Sequence, residues 1–125
     1  MTDEQAGRTL VVKIGSSSVT TPEGRVDLAA IVKLSGEVAA ARDQGIRVVV
    51  VTSGAIAAGW TALSEGRPRP TDPATLQAVS AVGQHLLMRV WSDALAAHGH
   101  TVGQVLLAPL DFVHRSQYLD RKSVV

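Results

Sequence analysis

Lys13 sits near the end of an apolar run, Thr9-Leu10-Val11-Val12-Lys13-Ile14, and is followed at once by Gly15-Ser16-Ser17-Ser18. A lysine inside an apolar strand is costly to bury without a partner. It belongs at the strand's carboxyl end, which is where ligands bind in open α/β sheets. Gly15 permits a sharp turn, and the serine N–H and hydroxyl groups can cup an anion. A point charge beside such a nest suits phosphoryl transfer, in which charge on the moving group must be neutralised. The alternative is an edge-strand lysine that reaches solvent.

A second strand end carries complementary chemistry. Val48-Val49-Val50-Val51-Thr52 runs into Ser53-Gly54-Ala55 and then into Ile56-Ala57-Ala58-Gly59. Four valines in a row suit a parallel strand buried on both faces. The small residues after it leave room for a ligand to approach the backbone. The helix opening behind them offers unpaired N–H groups and the positive end of a dipole. Ser53, Gly54 and Ala55 are therefore candidates to hold a carboxylate or phosphate, against the plainer reading of a tight βα turn. Adjacent parallel strands lie about 4.8 Å apart, so the two turns are close enough to bring a donor and an acceptor together.

Other candidates carry less. His98 and His100 bracket Gly99 at a helix end and read as a solvated turn rather than a metal pair, with His100 placed to favour the helix dipole. His85 reads as a polar-face residue. Asp111 follows Pro109 near a strand end and reads as a cap before it reads as a ligand. Arg67 and Arg69, set among prolines, could cover a bound anion, although a solvated loop is the simpler reading. The chain has neither G-x-x-x-x-G-K-[ST] nor G-x-G-x-x-G, which argues against a Walker A loop and a dinucleotide fold.

The elements that must position these residues are legible from periodicity and turn chemistry. The first strand covers 9–14, and Thr21-Pro22-Glu23-Gly24 is a turn. Asp27 caps a helix to about Gln44, with Gly45 at the C′ position. Leu28, Ile31, Val32, Leu34, Val38 and Ala41 form its apolar face. A second strand covers 46–52 and a helix 54–63. A polar loop, Gly66 to Pro73, ends in an Asp72–Pro73 cap pair that opens a helix to about 97, with a bend allowed at Gly83. A third strand is expected over 101–107. Strand, helix and strand in alternation mean βαβ units, a parallel sheet and an α/β fold.

Bulk properties narrow the class. The 125 residues are 46% hydrophobic, enough for one domain with a core, yet hold only two Trp, one Tyr and one Phe. The core must be aliphatic. A net charge of +1 gives no argument for nucleic acid or an anionic membrane. The lack of cysteine excludes disulfides and thiolate metal sites. No apolar run reaches the roughly 18 residues of a membrane span. Met1–Arg8 is not signal-like, so a cytoplasmic location is the default expectation.

In their order along the chain, Val11–Ser16, Val51–Gly59, Gln77–Gln84 (Gln-Ala-Val-Ser-Ala-Val-Gly-Gln) and Gly103–Leu107 resemble the amino acid kinase family over about residues 9–110. Ser53–Gly59 followed by Ala81-Val82-Gly83-Gln84 points to the branch whose acceptor is glutamate. The resemblance implies a parallel-sheet βαβ sandwich of the amino acid kinase type, incomplete at the C-terminus. Residues 1–125 would form its amino-terminal, glutamate- and phosphate-binding part, without the nucleotide-binding half. It implies ATP-dependent phosphorylation of the γ-carboxylate of L-glutamate, the first step of proline synthesis, with Mg²⁺ accompanying ATP. Lys13 would be catalytic, Lys13, Gly15 and Ser16 would contact the phosphates, and Ser53, Gly54 and Ala55 would hold the acceptor. The full-length parent would be a homo-oligomer. Two other readings stay open: a non-catalytic module that binds an acidic amino acid, and an amino acid kinase with another acceptor. Arg115–Leu119 still fits the family pattern, but Asp120–Val125, including Lys122, departs from it. The expectation is a fragment, or a reading frame changed near Asp120, that is inactive alone.

Overall fold

The computed structural model describes residues 7–107. The readings of Asp111, Arg115–Leu119 and Asp120–Val125 fall outside the described residues. The element order is β1 (Thr9–Ile14), a 3₁₀ turn (Ser16–Ser18), α1 (Leu28–Asp43), β2 (Arg47–Thr52), α2 (Ala55–Leu63) and α3 (Pro73–Ala96). The two strands pair in parallel, Thr9 with Arg47 through Ile14 with Thr52, and α1 is the crossover between them. The α/β class and the βαβ unit are as the sequence predicts.

The caps also follow the sequence. The Asp27 carboxylate accepts from the Ala30 N–H at 3.0 Å, and Gly45 reverses the chain after α1 with φ +79°. The Asp72 carboxylate accepts from the Thr75 N–H at 2.9 Å, with Pro73 at the first helical position. Each satisfies one of the donors a helix start leaves open.

The core is a cluster of Ile14, Val19, Ile31, Ala58, Leu87, Trp91 and Leu95. α3 buries a row of five residues spaced four apart, Val79, Gly83, Leu87, Trp91 and Leu95, of which the last three belong to the cluster. Such a row is one face of a 3.6-residue helix. Ile14, Val12 and Val50 bring the same face of the sheet to this cluster.

Three expectations need correction. β2 is not buried on both faces: Val49 and Val51 are 37% and 49% exposed, and Val11 beside them is 62% exposed. Alternate residues of a strand point oppositely, and among the described residues no helix covers the Val11–Lys13–Val49–Val51 face. The buried row of α1 is Ile31, Ser35 and Ala39. Leu28 and Val32 are more than half exposed: Leu28 lies in the first turn, and Val32 at the edge of the stripe. α3 runs through Gly83 as one helix, as expected, and that glycine serves a close crossing with α2. Residues 101–107 are not assigned to a strand, and Val105, Leu106 and Leu107 are exposed. An apolar, strand-like pattern marks a strand candidate, whereas the ladder that makes it a strand is not set by local sequence.

Candidate functional site

The two strand ends meet. The Ser53 N–H donates to the Ile14 carbonyl at 2.9 Å, which extends the ladder past β2. The Ser16 and Ser53 hydroxyls are then hydrogen-bonded at 2.6 Å. The serine turn after β1 and the Ser-Gly-Ala turn after β2 thus form one polar floor. Trp91 props it from the core side, its indole N–H donating to the Thr52 hydroxyl at 3.1 Å.

Gly54 opens α2 with φ +115° and ψ 0°, in the left-handed region that favours glycine. A Cβ there would find ordinary contacts with Val19 and Leu87, so the backbone angle, not space, demands glycine. Gly15 is different. Its φ of −76° suits any residue, and a Cβ on it would meet nothing. The sharp turn expected of Gly15 is made instead by Ser16–Ser18, where the Ser18 and Val19 N–H groups donate to Gly15 and Ser16 carbonyls.

The orientation of α2 is fixed by a close crossing with α3. A Cβ on Gly59 would lie 2.9 Å from the Gly83 nitrogen and would strike the Val79 carbonyl oxygen. A Cβ on Gly83 would strike the Ala55 carbonyl oxygen. Backbones can approach this closely only with glycine at both positions. Sequence reading took Gly59 as part of a turn motif and Gly83 as a bend. The missed signal was a glycine in each of two helical runs, where each costs about 1 kcal/mol against alanine unless packing requires it.

Over the floor lies a cleft of about 350 Å³ whose lining includes Ser16, Thr20, Ser53, Gly54, Arg69 and Ser80. That volume is at the small end of ligand pockets. Four of the sequence candidates therefore converge: Ser16, Ser53, Gly54 and Ala55 all line it. Lys13 and Gly15 do not. Lys13 is exposed, pairs in register with Val51, and shares the open sheet face rather than the cleft. Among the described residues the polar lining is hydroxyls, backbone and one guanidinium, with no Asp, Glu, His or Lys.

The two loop arginines part company. Arg67 donates to the Leu63 and Ser64 carbonyls at 2.7 and 3.1 Å, and its guanidinium stands 5.8 Å from the Trp60 ring centroid. It caps the end of α2. Arg69 lines the cleft. Of the histidines, His85 and His98 are exposed. The His100 Nε2 lies 3.7 Å from an Asp43 carboxylate oxygen, beyond hydrogen-bond distance. Among the described residues no three His, Cys, Asp or Glu gather as a metal site, and no helix is long and apolar enough to cross a membrane.

Comparison with known proteins identifies the family. Residues 8–124 match the amino acid kinase family. The chain is 46% identical over 114 residues to a glutamate 5-kinase of Mycobacterium avium, covering 91% of this chain and 31% of that relative. It is 43% identical over 120 residues to the glutamate 5-kinase of Thermus thermophilus, covering 96% and 32%. It is 47% identical over 111 residues to that of Bifidobacterium adolescentis, covering 89% and 29%. The chain thus spans about a third of the length of these curated relatives. It belongs to the amino acid kinase family.

Proposed function

We propose that this chain carries the acceptor side of a glutamate 5-kinase: L-glutamate in the cleft, ATP as phosphoryl donor, and L-glutamyl 5-phosphate as product. The observation that carries it is the makeup of the cleft, which among the described residues offers hydroxyls, helix-opening N–H groups and one cation but no general base. A carboxylate acceptor is already anionic and needs no deprotonation. An alcohol or amine acceptor would need a positioned base. The relatives, named as glutamate 5-kinases, supply the substrate and the place at the start of proline synthesis.

The reaction balances without a proton. A γ-carboxylate oxygen of glutamate attacks the terminal phosphorus of ATP. The new O–P bond forms as the bond to the bridging oxygen breaks, and ADP leaves. Ser53 and the Gly54–Ala55 backbone hold and orient the acceptor carboxylate. Ser16 stands between acceptor and donor, and the Gly15–Ser16 turn receives the transferred group. Lys13, at the end of β1, neutralises charge developing on it. Gly15 is consistent with this assignment: among the described residues nothing in the packing requires glycine there, and a ligand has room to approach. ATP would bring Mg²⁺, but the cleft has no acidic ligand and the described residues do not fit a bound metal, so they take no step through it.

The matching segment of the Mycobacterium avium relative can be replaced by residues 8–107 of this chain. The chimera is expected to release ADP only when glutamate is present. A chimera that folds and binds ATP but shows no glutamate-dependent release would overturn the reading.

A further inference from the structure

The proposed acceptor has two carboxylates, and the turn at Ser53–Gly54–Ala55 accounts for one of them. Among the described residues the rest of the cleft wall contains a single cationic side chain, Arg69. Among the described residues its guanidinium forms no hydrogen bond or ion pair. Its neighbour Arg67 is fully occupied by the end of α2 and by Trp60.

The loop holds Arg69 in place. Glu65 and Gly66, both with positive φ, reverse the chain after α2. Arg67 fastens the near side to the Leu63 and Ser64 carbonyls. Asp72 fastens the far side as the cap of α3. Pro68 and Pro70 flank Arg69; each proline fixes its own φ, and Pro70 also restricts Arg69 to extended backbone. A span anchored at both ends loses little freedom when it closes on a ligand.

We propose that Arg69 is a specificity-determining residue of the acceptor site, pairing with the second carboxylate of a dicarboxylic amino acid while the Ser53–Gly54–Ala55 turn holds the first. This rests on the cleft being the acceptor site. Ser16, which contacts the transferred group in the proposed reaction, lines the same cleft, so phosphate binding by Arg69 is the competing outcome that the phosphate probe below reads. A guanidinium matches a carboxylate with two parallel N–H donors, which a lysine cannot reproduce.

Calorimetric titration of the 125-residue chain tests this with four probes: L-glutamate, glutarate, 4-aminobutyrate and inorganic phosphate. Glutarate keeps both carboxylates and lacks the amine. 4-Aminobutyrate keeps the amine and one carboxylate. The wild-type chain is expected to prefer glutamate and glutarate over 4-aminobutyrate by about tenfold or more, as for one charge-assisted pair. In Arg69→Gln that preference should vanish while 4-aminobutyrate affinity stays the same. Arg69→Lys should recover only part of it, and Arg89→Gln, on the exposed side of α3, should leave it intact. A preference that survives in Arg69→Gln overturns the role of Arg69 alone. So does a variant that weakens phosphate binding instead. A wild-type chain that binds none of the carboxylates overturns the acceptor reading and the Arg69 assignment with it.

Discussion

Gly59 and Gly83 let the backbones of α2 and α3 touch, and this contact aims the start of α2 at the cleft. A Cβ on Gly83 would meet the carbonyl oxygen of Ala55, a residue of the acceptor turn itself. Helix packing and ligand placement are therefore the same contact.

Gly83→Ala should destabilise the chain although alanine is the better helix former. The propensity gain is about 1 kcal/mol, whereas forcing a methyl into backbone contact costs about 3 kcal/mol or more. Overpacking wins, and the thermal midpoint should fall by at least about 8 °C in a domain of this size. An unchanged midpoint would mean that the helices are not in contact at these glycines.

The Ser16–Ser53 bond should register as coupling between the two turns. Ser16→Ala, Ser53→Ala and the double variant form a thermodynamic cycle. The bond is exposed, so its coupling should be small, about 0.5 kcal/mol, at the low end for a neutral pair. Urea denaturation measures it, and strictly additive effects would show that the hydroxyls do not interact.

Asp72 should make stability depend on pH at the acid end. Its carboxyl is held below the ordinary aspartate range first by the Thr75 hydroxyl and then by the Thr75 N–H. A carboxylate whose pKa is lower in the folded chain stabilises above its unfolded value, about 3.9. That contribution is lost as pH falls through the folded value. The melting-temperature gap between wild type and Asp72→Ala should be full near neutrality and close at strongly acid pH. Asp72→Asn should keep a cap and lose this pH dependence. A gap constant down to acid pH would show that the charge is not what caps α3.

Features carried by local chemistry were legible in the sequence. Asp27, Gly45 and Asp72–Pro73 declared helix ends, and the two strand-end turns declared a shared site through their small polar residues. What was not legible depends on partners distant in sequence. The four valines of β2 signal burial on both faces, yet only the α1–α3 side has a described cover. Leu28 and Val32 have the spacing of a core face but stay more than half exposed, Leu28 at the edge of an open groove that it shares with Leu86 and Val90 of α3. Arg67 and Arg69 look equivalent in sequence, and only the position of α2 turns one into a cap and the other into a cleft wall. Lys13 was placed correctly at a strand end, but the parity of β1 puts it on the face opposite Ile14.

That parity makes Lys13 the sharpest test of the division between binding and chemistry. Lys13 is exposed and shares its face with Val11, Val49 and Val51, so Lys13→Ala should change the stability of the chain by less than about 0.5 kcal/mol. It should also leave glutamate affinity unchanged, because the residue lies outside the cleft lining. In the active chimera the same substitution should lower turnover by about a hundredfold or more, the scale seen when one group that stabilises transition-state charge is removed. Gly15→Ala should behave similarly but for a steric reason: the chain itself tolerates the methyl, and only an approaching phosphoryl group meets it. Steady-state kinetics with varied glutamate and ATP separates these effects. Lower turnover with an unchanged KM for glutamate is expected in both variants. Full turnover in Lys13→Ala would remove the residue from the chemistry, and a raised KM for glutamate would move it into the acceptor site.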